Sequence, residues 1–334
     1  MRRVVCFGEL MLRLSPPGDE RFFQSPALRT WFGGSEANVA AGIAHLGGRS
    51  AYVTRLPDNA IGDAAMAALR AENVGVSGIL RGGPRMGIYF VEKGADLRPM
   101  RVVYDRAGSS FATLDPAEFD WPRLLDGAEW LHLSGITPAL GDGPARAAID
   151  AANTARSLGV KVGVDLNYRP ALWSGRDPKA VVPDLVRGCD LLVGNPGAAS
   201  AMLGVEVGEG DAGDPAFLRR AAAQICARFG CGHVAITLRD VVSASEHRWT
   251  AVLWDGSILH ESRRYTVRVV DRVGGGDSFA AGLIYALQEE RETAEALEFA
   301  TTASALKLTI PGDFNRVSAA EVDRALAEAR RGAG

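Results

Sequence analysis

Histidine and cysteine are scarce in this chain, which has five histidines and four cysteines among 334 residues. Only Cys226 and Cys231 are close in sequence, and their Cys-x4-Cys spacing is uncommon in zinc sites. This scarcity argues against a structural zinc site. We expect four reduced and mostly buried thiols, at positions Cys6, Cys189, Cys226 and Cys231.

Long apolar runs are also missing. No stretch of about 18 uncharged apolar residues occurs, so the sequence predicts no membrane-spanning helix. Near the amino terminus, Glu9 interrupts the apolar stretch too early for the core of a signal peptide. The expected location is therefore the cytoplasm.

Neither sign of charge dominates, because 37 Lys and Arg residues stand against 40 Asp and Glu residues. No block of five like charges occurs, which excludes an obvious nucleic-acid groove or polybasic membrane patch. The composition, 47% apolar and 23% charged, is typical of a globular protein and excludes collagen, coiled coil and global disorder. The length fits about two domains or one large α/β domain.

Short apolar runs alternate with helix-like segments along most of the chain. This alternation predicts an α/β fold with a mostly parallel, doubly wound sheet flanked by helices. The last third adds a predicted hairpin over 249–255 and 258–270. The predicted strands are 4–7, 51–56, 130–134, 160–166, 190–194 and 234–238, and the predicted helices are 36–46, 62–72, 144–158, 215–229, 277–288, 293–308 and 319–331.

Two segments, 86–92 and 101–106, break this pattern. Both alternate in polarity, which predicts antiparallel strands joined by a turn around 93–99. Strands inserted into a doubly wound unit often form a second sheet that covers a cleft. We therefore expect one domain over 1–334, with a small antiparallel lid sheet formed from about 10–32 and 85–108.

The strongest chemical signal is the motif Asp271-Arg-Val-Gly-Gly-Gly-Asp277, which opens an apolar helix. The glycines let the backbone approach a ligand, and a helix N-terminus adds positive potential, so the turn suits a phosphate. Asp277 would lie beside that anion and could accept a proton from a hydroxyl nucleophile. The alternative is that Asp277 only caps the helix. The motif is neither Gly-x-Gly-x-x-Gly nor a Walker A loop, which disfavours a dehydrogenase or a P-loop enzyme.

A second signal is Gly33-Gly34, followed four residues later by Asn38 at the start of another predicted helix. A Gly-Gly turn can approach a small polar ligand, and an Asn side chain can donate to and accept from hydroxyl groups. The alternative is an ordinary turn followed by a structural Asn.

These two segments resemble the signatures of the ribokinase-like (PfkB) carbohydrate kinases, and the resemblance covers nearly the whole chain. The late signature of that family is Asp-Thr-x-Gly-Ala-Gly-Asp, and the early one is Gly-Gly followed by Asn four residues later. The resemblance implies the ribokinase-like fold with its small lid sheet, and it implies ATP and Mg²⁺ as cofactors. It makes Asp277 the catalytic base and assigns the transferred phosphate to the amides of Gly274, Gly275 and Gly276.

Within the family, stretches beginning at Gly8, His132, Asp165 and Ile310 are similar to the 2-keto-3-deoxygluconate kinases. This likeness implies that the sugar acid is contacted by the early turn, by two lid tyrosines and by two arginines. Those residues are Gly33, Gly34, Asn38, Tyr89, Tyr104, Arg106 and Arg169.

The chemistry of a sugar acid agrees with this assignment, because a planar guanidinium is the best partner for a carboxylate. Arg169 follows a predicted strand end, where α/β folds bind ligands. The alternative for a lone arginine in this place is a surface salt bridge.

Two departures from the family pattern concern the nucleotide. The family usually has Asn-x-x-Glu where this chain has Asn195-Pro-Gly-Ala198, so an acidic residue that helps to organise Mg²⁺ is missing. Its loss could lower the rate or the metal affinity by about 10–100-fold. Many relatives have Thr-x-Gly where this chain has Thr237-Leu-Arg239, and we expect Asn195, Thr237 and Arg239 near ATP, together with Gly274 and Gly276. Whether a monovalent cation such as K⁺ lies near Asp271 is left open.

The expected activity is ATP-dependent phosphorylation of 2-keto-3-deoxygluconate at its terminal hydroxyl, giving the 6-phosphate. Three alternatives remain: a kinase of 2-keto-3-deoxygalactonate or of a neutral sugar such as fructose or ribose, a catalytically weakened ligand-binding relative suggested by Ala198, and a dinucleotide-dependent oxidoreductase. The family likeness also suggests a homodimer or larger homo-oligomer formed through the lid, since pairing would cover exposed sheet edges.

Overall fold

The computed structural model describes residues 2–206, 210 and 213–331. In chain order its strands are β1 (Arg3–Phe7), β2 (Met11–Ser15), β3 (Arg29–Gly33), β4 (Arg49–Leu56), β5 (Gly75–Arg81), β6 (Gly87–Glu92), β7 (Arg101–Asp105), β8 (Ala128–Ser134), β9 (Lys161–Asp165), β10 (Leu191–Val193), β11 (His233–Ser243), β12 (Glu246–Trp254), β13 (Leu259–Glu261) and β14 (Tyr265–Arg268). Its helices are α1 (Ser35–His45), α2 (Ala60–Ala71), α3 (Trp121–Leu125), α4 (Asp142–Ser157), α5 (Val182–Val186), α6 (Pro196–Leu203), α7 (Pro215–Phe229), α8 (Gly275–Gln288), α9 (Thr293–Lys307) and α10 (Ala319–Arg331).

The larger sheet has ten strands within these described ranges, in the order β13-β12-β11-β10-β9-β8-β1-β4-β5, with β14 also paired to β12. Strands β11 to β5 in this order are parallel, and β12 pairs with its neighbours antiparallel. Parallel strands end at the same edge of a sheet, so the segments after β8, β9 and β10 lie side by side.

Both faces of the larger sheet are covered by helices, as the side chains of β1 illustrate. Val4 and Cys6 pack with α1, α2, α8, α9 and α10 on one face, while Val5 and Phe7 pack with α4 to α7 on the other. The alternation follows from the two-residue period of a strand. The predicted doubly wound arrangement is confirmed, because apolar side chains on both faces require two helical layers.

The small sheet has the order β3-β2-β6-β7. Its outer pairs, β2–β3 and β6–β7, are antiparallel, but the central pair β2–β6 is parallel. The prediction of an antiparallel lid was therefore wrong for the central pair. The physical reason is that β2 and β6 are joined through the larger sheet rather than by a hairpin. On one face of this sheet, Met11, Tyr89 and Val91 form an apolar cluster that packs against Val273.

The predicted strands of the larger sheet are confirmed within a few residues, except at 258–270 and at the end of β11. The segment 258–270 forms two strands, β13 and β14, which pair with different parts of β12. Its bend lies at 262–264, where Ser262 Oγ accepts the backbone N–H of Ala251 at 3.0 Å. Strand β11 continues to Ser243 instead of ending at 238, and β5 was not predicted from the sequence.

The four cysteines are unpaired in the structure, with Cys226 partly exposed and the other three buried. Among the residues that the structure describes, no helix has both the length and the apolar character needed to cross a membrane.

Candidate active site

A cavity of about 1760 Å³ lies between the carboxyl edge of the larger sheet and the inner face of the small sheet. The larger sheet contributes Asp165 at the end of β9, Gly194 after β10 and Thr237 from β11, while Tyr89 and Tyr104 come from the small sheet. The cavity brings together 13 of the 14 residues that the sequence singles out: Gly34, Asn38, Tyr89, Tyr104, Arg106, Arg169, Asn195, Thr237, Arg239, Gly274, Gly275, Gly276 and Asp277.

Asp277 lies in the first turn of α8 and is 9% exposed. Its two oxygens have separate donors: Ser35 Oγ donates to Oδ1 at 2.8 Å, and Asn38 Nδ2 donates to Oδ2 at 2.7 Å. Burial raises the pKa of Asp277, while these hydrogen bonds and the charge of Arg169 oppose the rise. The carboxylate is thus fixed in orientation and lies in a site where a proton is not strongly disfavoured.

Asn167 extends this arrangement, because its Nδ2 donates to Ser35 Oγ at 2.8 Å. Asn167 takes a φ of 39°, an uncommon backbone conformation in which Asn is enriched. Asn167 was not predicted as a site residue. Its position two residues after the end of β9, at the carboxyl edge of the sheet, is the signal that could have indicated a role.

The glycines of the late motif have distinct structural reasons. Gly274 precedes α8 with a φ of 81°, and a Cβ on it would lie 2.2 Å from the carbonyl oxygen of Asp313. Gly275 and Gly276 are the first residues of α8, and a Cβ on Gly276 would meet no atom within 4 Å. All three glycines at this helix end border the cavity, as the phosphate-binding prediction requires.

The early turn approaches Asp277 through the N-terminus of α1. Gly34 precedes this helix, and a Cβ on it would lie 2.1 Å from the carbonyl oxygen of Glu9. Gly33 does not line the cavity. A Cβ there would lie 2.3 Å from Asp313 Oδ1, so Gly33 allows close packing on a buried carboxylate rather than contact with a ligand.

The two tyrosines of the small sheet stack with ring centroids 6.0 Å apart and planes 21° apart. Tyr89 is buried and donates its hydroxyl to Asp313, whereas Tyr104 is 46% exposed. Arg106 lines the same region, but its Nε donates to Glu9 Oε2 at 2.8 Å and both residues are buried. The charge of Arg106 is therefore already paired within the protein.

Three other arginines on the cavity wall, Arg169, Arg239 and Arg272, have no carboxylate within 4 Å in the described part of the chain. Burial and the mutual repulsion of this cluster lower the pKa of Arg239 and of Arg272. Three unpaired guanidinium groups favour a ligand with several negative charges. Sequence reasoning missed Arg272, although it stands where the family signature has Thr.

Two buried carboxyl groups, Glu36 and Asp165, also line the cavity and were not predicted as site residues. Burial raises the pKa of each to about 7. Glu36 Oε1 accepts from Ser134 Oγ at 2.7 Å and from Thr137 Oγ1 at 3.0 Å. Near neutral pH, these acids can therefore change charge when a cation or an anion binds beside them.

Replacing Glu36 with Gln should stabilise the protein at alkaline pH. Because burial raises the pKa of Glu36 from 4.5 to about 7, the folded state retains a proton that the unfolded state releases in this window. The contribution of Glu36 to the free energy of unfolding thus falls as pH rises from 4.5 to about 7, by at most about 3 kcal/mol. The Gln variant keeps an acceptor for both hydroxyls and carries no charge.

Urea denaturation tests this expectation. The E36Q midpoint should exceed that of the wild type at pH 8 and approach it at pH 4.5, whereas E328Q, at an exposed position of α10, should behave like the wild type at both. An increase in the E36Q midpoint that is the same at both pH values would contradict a raised pKa for Glu36.

A buried ion-pair network joins the small sheet to the turn at 271–276, which leads into α8 and is called the phosphate turn here because it is the predicted phosphate site. Arg13 of β2 contacts Asp271 Oδ2 at 2.7 Å and Asp313 Oδ2 at 2.9 Å. Asp271 Oδ1 also accepts the N–H of Val273 at 3.1 Å, so the network fixes the backbone that leads into the glycine turn. The two contacts of Arg13 do not follow from local sequence, since Arg13 is 258 residues from Asp271 and 300 residues from Asp313.

Asn195 begins α6 as its N-cap, with Oδ1 accepting the N–H of Ala198 at 2.9 Å. Ala198 is buried on the cavity wall at the position where the family usually has Glu. Within the described residues, no group of three or more His, Cys, Asp or Glu side chains is arranged to hold a metal ion. A metal that arrives with a phosphate ligand needs only one or two protein carboxylates.

The chain is similar to known proteins over nearly its whole length. A 2-dehydro-3-deoxygalactonokinase of Haloferax volcanii is 31% identical over 97% of this chain and 96% of its own. A 2-dehydro-3-deoxygluconokinase of Bacillus subtilis is 26% identical over 93% of this chain and 91% of its own. The crystal structure of a 2-dehydro-3-deoxygluconokinase from Thermotoga maritima superimposes with a TM-score of 0.94 at 41% identity, covering 97% of this chain and 98% of that one.

These likenesses confirm the predicted ribokinase-like α/β fold. They contradict the alternative that the chain is a dinucleotide-dependent oxidoreductase. Residues 1–319 match the family described as pfkB family carbohydrate kinase. With the helix-end amides, the buried Asp277 and the cavity between two sheets in place, the chain belongs to the PfkB family of carbohydrate kinases.

Proposed function

We propose that this carbohydrate kinase phosphorylates 2-keto-3-deoxygluconate (2-dehydro-3-deoxygluconate) at its terminal hydroxyl, using ATP and giving 2-keto-3-deoxy-6-phosphogluconate. The observation that carries this proposal is that Asp277 and Arg169 line the same cavity, and that Arg169 has no carboxylate within 4 Å in the described residues. One group is suited to a reacting hydroxyl and the other to a carboxylate. The substrate named for the relatives from Bacillus subtilis and Thermotoga maritima has both chemical groups.

Asp277 acts as the general base in this proposal. Ser35 and Asn38 hold its two oxygens, so the carboxylate faces the hydroxyl in a fixed direction. An alcohol is far less acidic than a carboxylic acid, and the proton therefore moves late, as the bond to phosphorus forms. The amides of Gly274, Gly275 and Gly276 stabilise the negative charge that develops on the transferred phosphoryl group.

The residues on the cavity wall fit an ATP-bound Mg²⁺. Asp165 would hold it, because this carboxyl is buried near Asp277, and the charge of Arg169 does not offset the rise in pKa that burial causes. When bound, Mg²⁺ neutralises phosphate charge. Asn195, Thr237, Arg239 and Arg272 would contact the nucleotide, together with Gly274 and Gly276. Ala198, which stands where the family usually has Glu, is then expected to weaken metal binding and to leave Asp277 in place as the base.

Arg169 is the proposed carboxylate anchor. Arg106 is less suited to this role because Glu9 already neutralises its charge, and we propose that it positions Tyr104, whose ring lies 5.7 Å from its guanidinium carbon. Gly34, Asn38, Tyr89 and Tyr104 would surround the hydroxyl chain of the sugar acid. The small sheet would act as a lid that excludes water and limits ATP hydrolysis.

Replacing Arg169 with Ala should raise the KM for 2-keto-3-deoxygluconate by about 10–100-fold, because a charged hydrogen bond contributes about 1.5–3 kcal/mol. The KM for ATP should change little. Steady-state ADP release measures both constants. The control R146A removes an exposed arginine from α4 and should match the wild type. An unchanged sugar-acid KM in R169A would remove the carboxylate role.

The galactonate epimer is the second candidate, favoured by the Haloferax volcanii relative at 31% identity. ADP release on 2-keto-3-deoxygluconate, 2-keto-3-deoxygalactonate, fructose, ribose and gluconate decides between them. Preference for a neutral sugar would discard the carboxylate anchor but keep the Asp277 chemistry. Ligand binding in calorimetry without turnover would instead support a weakened relative.

We further propose that the enzyme works in the cytoplasm as a homodimer or larger assembly joined through the small sheet. The support is the outer strand β7, where Val103 is 50% and Tyr104 is 46% exposed. Unpaired strand edges with apolar side chains are surfaces that a second copy could cover.

A further inference from the structure

Lys307, the last residue of α9, lies completely buried next to the phosphate turn. Its Nζ donates to the carbonyl oxygen of Ile310 at 3.1 Å, and it forms no ion pair within 4 Å in the described residues. A buried lysine is rare because removing an ammonium group from water is costly. Lys307 has no role in the proposed phosphoryl transfer.

Burial lowers the pKa of Lys307 and the charge of Arg13 adds to this, while the carboxylates of Asp271, Asp313 and Asp277 favour the charged form and oppose the fall. Arg13 pairs with both carboxylates directly. Without Lys307, two buried carboxylates would share one guanidinium, and buried charges that lack compensation are strongly destabilising.

Lys307 also lies against Gly274, whose positive φ forms the turn. A Cβ on Gly274 would lie 3.3 Å from Lys307 Cε. One helical turn earlier in α9, Ser304 Oγ donates to the carbonyl oxygen of Gly275 at 2.6 Å. Helix α9 therefore supports the turn from behind and places a positive charge on the side of the turn away from the cavity.

We propose that Lys307 is a tethered monovalent cation for the phosphate turn. A backbone carbonyl and two nearby carboxylates are the oxygen donors that a bound K⁺ would use, and the ammonium occupies that place with the same charge. This positioning role rests on the proposed kinase function. It answers the question left open near Asp271, because an enzyme with a tethered cation needs none from solution.

The experiment compares the wild type, K307A and K307M in KCl, NH₄Cl and tetramethylammonium chloride at equal ionic strength. Wild-type kcat should be the same in all three salts. K307A removes the charge and leaves space, so kcat should fall about 10–100-fold in tetramethylammonium and recover at least severalfold in K⁺ or NH₄⁺. K307M fills the space without charge and should stay low in every salt.

Thermal unfolding gives a readout that does not need turnover. K⁺ should raise the melting temperature of K307A relative to tetramethylammonium, and it should leave the wild type and K307M unchanged. Strong K⁺ activation of the wild type, full activity of K307M, or a K307A protein that K⁺ neither activates nor stabilises would overturn the proposal. If the wild type lacks kinase activity on every sugar, the proposed function fails, and the melting temperatures still decide whether Lys307 replaces a cation.

Discussion

Replacing Asp277 with Asn should lower kcat by about 10²–10⁴-fold, the usual contribution of a general base. Asn has nearly the same shape and keeps an oxygen that can accept from Ser35 or Asn38, but it cannot take the proton of the reacting hydroxyl. The affinity for ATP should stay within a few-fold, because the helix-end amides and the arginines on the cavity wall are unchanged.

Single-turnover ADP formation and calorimetric ATP binding separate the two effects. The matched control is D126N, an exposed residue just before β8 and thus at the opposite edge of the larger sheet. Its turnover should equal that of the wild type. Near-normal turnover in D277N would leave Asp277 as a helix cap and end the general-base mechanism.

Replacing Gly274 and Gly276 separately with Ala should give opposite effects on stability from the same chemical change. At Gly274, the φ of 81° and a Cβ 2.2 Å from a backbone oxygen make Ala strained and sterically blocked. At Gly276, the Cβ meets nothing within 4 Å, and Ala favours a helix over Gly by up to about 1 kcal/mol. G274A should unfold at lower urea, and G276A should match or exceed the wild type.

Both variants should still lose turnover, by about 10²–10³-fold if the amides stabilise the transferred phosphoryl group. In G274A the turn itself is distorted. In G276A the fold is intact, but a methyl group stands on the cavity wall beside the proposed phosphate position. Urea denaturation and ADP release together test this separation. A stable G276A enzyme with wild-type kcat and ATP KM would move the phosphate away from the turn.

Local patterns in the sequence were sufficient for the layers of the fold. The continuous apolar run from Val4 to Phe7 indicated a strand covered on both faces, and the structure has that strand inside the larger sheet, between β8 and β4. Local patterns could not show that 258–270 divides into β13 and β14, since that division depends on the length of β12. Nor could they show the parallel pairing of β2 with β6, which depends on how distant segments meet.

In the candidate site, too, local patterns indicated single residues but not the contacts between distant segments. Asp277, Arg169 and Asn38 were indicated by motifs that open helices or follow strands, and all three line one cavity. The structure places Gly33 outside the cavity lining and against the Asp313 carboxylate, which local sequence could not show because a glycine that packs on a buried carboxylate and a glycine that touches a ligand look alike in sequence. The partners that neutralise Arg106 and support the turn, Glu9 and Lys307, are close to them only in space.

The small sheet and the phosphate turn share an apolar contact, since Met11 and Val91 pack in one cluster with Val273. Under the proposed function, this contact links the sugar-acid half of the cavity to the nucleotide half. Any sugar that draws the small sheet inward also selects the arrangement of the turn that ATP needs. Free-energy linkage makes this effect reciprocal, so ATP must tighten sugar binding by the same factor as the sugar tightens ATP binding.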